Sequence, residues 1–145
     1  MLLKDCQYCL NREAIEGFGR VAFETETSII IVFKDQSHKG RMCVAYKKDH
    51  VAELTDLSKE ERAKFIADVV ACANAIKKAY HPDRINYGAY GDTLGHLHFH
   101  LVPKYKDGFE WGGTFAMNTG KEHYASDEEI AEVAKKIKEN FTYEE

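Results

Sequence analysis

The sequence predicts an α+β domain in which a mostly antiparallel five-stranded sheet carries helices on one side. Three observations predict it. Short apolar or alternating runs recur at 21–24, 28–33, 42–46, 85–90 and 95–104, separated by polar or glycine-bearing segments. Two longer stretches, 58–80 and from 126 onward, carry apolar residues at helical spacing instead. A chain of 145 residues suits one core, so residues 1–145 read as one domain, with a chemistry-bearing part at about 5–105 and a C-terminal loop and helix at about 106–145.

The elements follow in order. Residues 1–12 hold Cys6-Gln7-Tyr8-Cys9, and Gly17 and Gly19 break the short polar segment after it. Val21-Ala22-Phe23-Glu24 and Ser28-Ile29-Ile30-Ile31-Val32-Phe33 read as two strands with a turn near Glu26. The second is almost continuously apolar, which predicts a central strand buried on both faces. Met42-Cys43-Val44-Ala45-Tyr46 is the third strand. Ser58 and Glu61 stand three apart ahead of a helix reaching Tyr80, the spacing of a capping box. Phe65, Ile66, Val69, Val70, Ala73 and Ile76 form its apolar stripe, and Pro82 stops it. Ile85-Asn86-Tyr87-Gly88-Ala89-Tyr90 is the fourth strand, with Gly91-Asp92-Thr93-Leu94-Gly95 as a hairpin turn into the fifth. The last helix starts at Ser126, again with a glutamate, Glu129, in capping-box position. Its stripe is Ile130, Val133, Ala134, Ile137 and Phe141.

The fifth strand carries the chemistry. His96, His98 and His100 alternate with Leu97, Phe99 and Leu101. Successive side chains of a strand point to opposite faces, so the three imidazoles share one face and the apolar residues pack beneath. Imidazole changes charge near neutral pH, attacks electrophiles and binds metals. Three alternating residues diverge poorly onto a single ion, which argues against one catalytic metal held by all three.

The formal net charge of −4 provides no global field for nucleic acid or an anionic membrane surface. No apolar run is long enough to cross a bilayer, and the first residues lack a signal-peptide pattern, so the expected location is the cytoplasm. Four cysteines are too few for a disulfide framework. Cys6 and Cys9 read as a metal clip or a redox pair, whereas Cys43 and Cys72 lie in apolar patterns and read as core.

His96-Leu97-His98-Phe99-His100-Leu101-Val102 resembles the motif of the histidine triad (HIT) family. Phe33-Lys34-Asp35, the segment 44–50, Asn86-Tyr87-Gly88 and the N-terminal CxxC are similar to other family segments, the last to that of many bacterial members. The resemblance implies a HIT-like fold and a nucleotidyl hydrolase or transferase acting at the α-phosphate of a nucleoside phosphate derivative. His98 would attack phosphorus and form a nucleotidyl-histidine, with His96 and His100 completing the catalytic set. Nucleotide and phosphate contacts fall to Asp35, Asn86, Thr93, Arg41 and His100, with Asp35 meeting the ribose hydroxyls. The expected ligand is a purine nucleotide or a nucleotide conjugate. The resemblance also implies a homodimer and a structural zinc on Cys6, Cys9, His50 and His96.

Two departures bear on this. Arg41 follows Gly40 where the family usually has a histidine that supports the nucleophile; His38 is the nearest replacement. Asp92 stands where many members carry glutamine. Both leave room for the alternative of a nucleotide-binding module with little or no turnover.

Overall fold

The computed structural model describes residues 1–144. Five strands, β1 (Gly19–Glu24), β2 (Ser28–Phe33), β3 (Met42–Tyr46), β4 (Arg84–Gly88) and β5 (His98–Lys104), form one sheet in the order β1-β2-β3-β5-β4. Every neighbouring pair is antiparallel. Two helices, α1 (Lys59–Tyr80) and α2 (Asp127–Asn140), complete the α+β architecture. β2 and β3 are buried at every residue, as a continuous apolar run in the middle of a sheet requires.

Alternation splits the sheet into two faces. Ile30, Val32, Met42, Val44 and Leu101 point towards Phe65, Val69, Cys72 and Ile76 of α1 and towards Ile130, Val133 and Ile137 of α2. Leu97 and Phe99 join the same core, so the apolar partners of the histidines do lie beneath them. Ile29, Ile31, Phe33, Cys43 and Ala45 point the other way, where the N-terminal segment covers them with Cys6, Tyr8, Cys9 and Ile15. Both helices therefore share one side, and the CxxC segment roofs the opposite side.

Several expectations need correction. Val70 is exposed, because α1 meets the sheet along a narrower arc through Phe65, Val69, Cys72 and Ile76. The buried Asp68 lies on that helix too, accepting hydrogen bonds from the hydroxyls of Ser28 (2.6 Å), Thr25 (2.7 Å) and Tyr143 (2.6 Å). Only half of the first capping box forms: Ser58 Oγ accepts from the Glu61 amide, but the Glu61 carboxylate turns to Lys48 and Tyr46. The second box, Ser126 with Glu129, forms in both directions. β4 ends at Gly88 and β5 begins at His98, so the link between them is a loop over 89–97 rather than a tight hairpin. Gly88 matters there: a Cβ on it would lie 2.6 Å from the Tyr90 ring, which folds back over the strand end.

Candidate functional site

His96 precedes β5, and its ring faces the N-terminal segment. Its Nε2 donates to the Tyr46 carbonyl at 2.6 Å, which fixes the tautomer and turns a lone pair on Nδ1 outward. That Nδ1 lies 3.3 Å from Cys6 Sγ, 3.4 Å from Cys9 Sγ and 3.2 Å from His50 Nδ1. One ligand atom from each of the four residues falls within 4.8 Å of the others. Two thiols and two imidazole nitrogens converging this way are the donor set of tetrahedral zinc, and a backbone carbonyl orienting one imidazole is the usual supporting contact. Cys6, Cys9, His50 and His96 thus form a Cys2His2 cluster that fits a zinc ion. His96 serves that cluster and does not line the cavity described next; it reaches the remaining histidines through its backbone.

That link is direct. His98 Nδ1 donates to the His96 carbonyl at 2.6 Å. The proton is committed to Nδ1, so Nε2 of the neutral ring keeps its lone pair, and it has no partner among the described residues. Burial pushes the His98 imidazole down from its ordinary value, which keeps the ring neutral at neutral pH. Tyr8, held between the two cysteines, tilts against both rings, with centroids 5.1 Å from His98 and 5.3 Å from His96. His100 follows one rung along, 5.1 Å from His98. Burial, then the neighbouring His98 and Arg41, push His100 down to about 3.

His98 and His100 open into a cavity of about 630 Å³, a volume suited to a small organic ligand. Asp35, Arg41, Thr93 and Asp92 line it, as does Tyr90 of the long loop. Asp35 sits at the end of β2. Its Oδ1 accepts from the amides of Ser37 (3.0 Å) and His123 (3.2 Å), and its Oδ2 meets Arg41 Nη1 at 3.4 Å. The carboxylate is therefore both a turn-former and a wall of the cavity. Gly40, with φ of +93°, and the loop before it bring Arg41 under the sheet face, where its guanidinium lies 4.2 Å from the Phe33 ring centroid.

Two candidates fall elsewhere. Asn86 shares the sheet face with His100, but it lies two residues back from Gly88 along β4 and lines a separate depression with Arg84, Lys104 and Trp111. His38 does not replace the missing histidine: its Nε2 pairs with Glu110 Oε1 at 2.7 Å and its ring packs on Phe109, away from the cavity. Sequence reasoning missed the far wall. Met117, Asn118, Glu122 and Tyr124 come from the segment after β5 and close the cavity opposite the histidines. His123 pins that segment to Asp35 and Gln36. It has no periodicity to read, although Tyr8 could have been noticed from its place inside the CxxC.

The model of the HIT domain family matches residues 16–107. The chain belongs to the HIT family. Its fold is similar to that of solved HIT structures. A histidine triad protein from Sinorhizobium meliloti aligns with a TM-score of 0.80 at 23% identity, covering 88% of this chain and 93% of that one. A hypothetical histidine triad nucleotide-binding protein from Sulfolobus tokodaii aligns with a TM-score of 0.70 at 22% identity, over 94% of this chain and 91% of that one. A zinc-bound histidine triad family protein from Mycobacterium smegmatis aligns with a TM-score of 0.59 at 21% identity, over 92% of both. A search of curated proteins finds no match.

Proposed function

We propose that residues 1–145 act as one HIT domain that cleaves a nucleoside phosphate derivative at its α-phosphate, with His98 as nucleophile. The observation that carries this is the hydrogen bond from His98 Nδ1 to the His96 carbonyl, which leaves Nε2 unprotonated beside a ligand-sized cavity. In the first step Nε2 forms a bond to phosphorus and the leaving group departs with its electron pair, taking a proton from solvent. In the second, water oxygen bonds to phosphorus, the P–N pair returns to Nε2, and a proton is released. Two displacements replace one difficult hydrolysis. The donors for the oxygens of the attacked phosphoryl group are His100 and Thr93; Arg41 lines the same cavity further along the strands, and Asp35 serves the ribose. The expected ligand is a purine nucleotide or conjugate, such as a dinucleoside polyphosphate or a nucleoside phosphoramidate.

Zinc, when bound at Cys6, Cys9, His50 and His96, supplies structure: it ties the CxxC segment to the entry of β5, and so fixes the carbonyl that orients His98. A homodimer in the cytoplasm, joined through the unpaired edge of β4 where Tyr87 is exposed, completes the reading. A second reading, a nucleotide-binding module with little turnover, is favoured by one observation, the arginine at position 41. Quenched incubation with adenosine and guanosine phosphoramidates and dinucleotides separates the two. Mass spectrometry should find a nucleotidyl adduct on His98 and none on His98→Ala; binding without any adduct in the unaltered protein overturns the enzymatic reading.

A further inference from the structure

We propose that the cavity is built for a substrate with two phosphates, one attacked at His98 and a second held by Arg41. This rests on the nucleotide reading above and narrows it.

The Arg41 side chain is 2% exposed yet lines the cavity. A guanidinium has five N–H donors and no acceptor. Its sole carboxylate contact among the described residues is one long Nη1–Oδ2 approach to Asp35, whose other oxygen is occupied by two backbone amides. Nη2 faces only the Met117 sulfur at 3.6 Å, a weak acceptor, and Nε is buried with no partner. The rings of Phe33 and Phe115, at 4.2 and 5.8 Å, hold the guanidinium where it is. His100, which lines the same cavity, likewise has a buried Nδ1 without a partner among the described residues.

Folded proteins rarely leave such groups unmet, and a buried cation least of all. An anion with several oxygens meets both at once, whereas the two oxygens of a carboxylate match the guanidinium alone. Strand register sets the order. His98 stands opposite Ala45 and His100 opposite Cys43, and Arg41 is two residues further along that chain on the same face. Arg41 is four residues from Ala45, about 13 Å along an extended chain, so it is set back two rungs from His98 with His100 between them, and a phosphate beyond the attacked one is its natural partner. The second phosphate can belong to a 5′ chain or to the ribose itself.

Calorimetric titration tests this with AMP, ADP and adenosine 2′,5′- and 3′,5′-bisphosphate. At least one of the two-phosphate ligands should bind about tenfold tighter than AMP. A gain confined to ADP assigns the phosphate chain; a gain confined to a bisphosphate assigns the ribose. Arg41→Met should abolish the gain, weakening the two-phosphate ligand about tenfold more than it weakens AMP. Equal affinity for all ligands, or a gain that survives in Arg41→Met, overturns the proposal. If Arg41→Met does not fold, Arg41→Lys decides, because it keeps the charge and loses the fork. A selective loss of the two-phosphate gain supports the proposal, and unchanged affinities overturn it. Failure of AMP to bind, with no His98 adduct, defeats the nucleotide reading itself; AMP binding without a gain defeats only this inference.

Discussion

The two faces of the sheet solve different problems with the same strands. Towards α1 and α2 the strands present Ile30, Val32, Met42, Val44 and Leu101, side chains with no polar atoms beyond the methionine sulfur. Towards the N-terminal segment and the cavity, residues two apart on those strands present His98, His100, Cys43, with Arg41 just before β3 and Asp35 just after β2. The helix side stabilises mainly by area and packing, and its buried carboxylate, Asp68, is met by three hydroxyls. The other side holds buried polar groups in defined orientations, each of which needs a partner, so it depends on a separate clamp, the Cys2His2 cluster. A protein can thus lose function on one face with little loss of fold, or lose fold on the other with little change in chemistry.

The largest expected effect breaks function alone. His98→Ala should reduce turnover on the order of 10⁶-fold, the scale seen when a covalent nucleophile is removed. The α1–α2 side does not contact that ring, so the thermal midpoint should stay close to that of the unaltered protein. A variant that unfolds instead would show that the two faces are not separable at this position.

Zinc removal comes next and tests the clamp. A ligand present at a thousand times its dissociation constant stabilises the folded state by about 4 kcal/mol, or roughly 10 °C in Tm for a chain of this size. Chelation, or Cys9→Ser, should lower Tm by about that amount and disturb Tyr8 and His98 before the helix face. Native metal analysis gives the occupancy directly; an unchanged Tm after complete metal removal contradicts a structural ion.

The helix face was the easier half to read from sequence. Its residues obey a period, of two in the strands and 3.6 in the helices, and burial enforces that period whatever the ligand. α2 appeared with its cap, and β2 as a central strand, for that reason. Alternation also announced which face His98 and His100 share. It could not say how far along the face a residue lies, so Asn86 was grouped with a cavity that it does not line. Nor does a pattern exist for the far wall: Met117, Glu122 and Tyr124 sit there because His123 is hydrogen-bonded to Asp35 and Gln36, a long-range contact without local signature. The Arg41–Asp35 pairing was hidden likewise. The His38 expectation failed because proximity in sequence ignored Glu110, which comes from 72 residues away.

A third test weakens the helix face and leaves the site alone. Ile76 is fully buried between the sheet and α2. Truncation to alanine should lower unfolding free energy by about 3 kcal/mol through lost burial and the cavity left behind. The KM and the pH profile of turnover should hold in the folded fraction, measured well below the lowered midpoint. A shift in KM would mean that strain crosses the sheet.

The smallest effect is a pH dependence that belongs to the cavity side. His100 is 4% exposed, and burial holds its imidazole down to about 3 against an unfolded value near 6.5. Above about pH 6.5 the ring is neutral in both states and the shift costs nothing. As pH falls, the unfolded chain takes up the proton first, so it binds more protons than the native state and stability declines until the native pKa is reached. Between pH 6.5 and 5 this amounts to about 2 kcal/mol for one such group. Denaturant melts at both pH values should show the loss, and His100→Asn, which keeps a polar group but cannot titrate, should show a smaller one. Every other group is common to both proteins, so the difference between the two slopes isolates His100. Equal slopes would place the acid sensitivity in the clamp instead and leave the cavity face electrostatically indifferent to this ring.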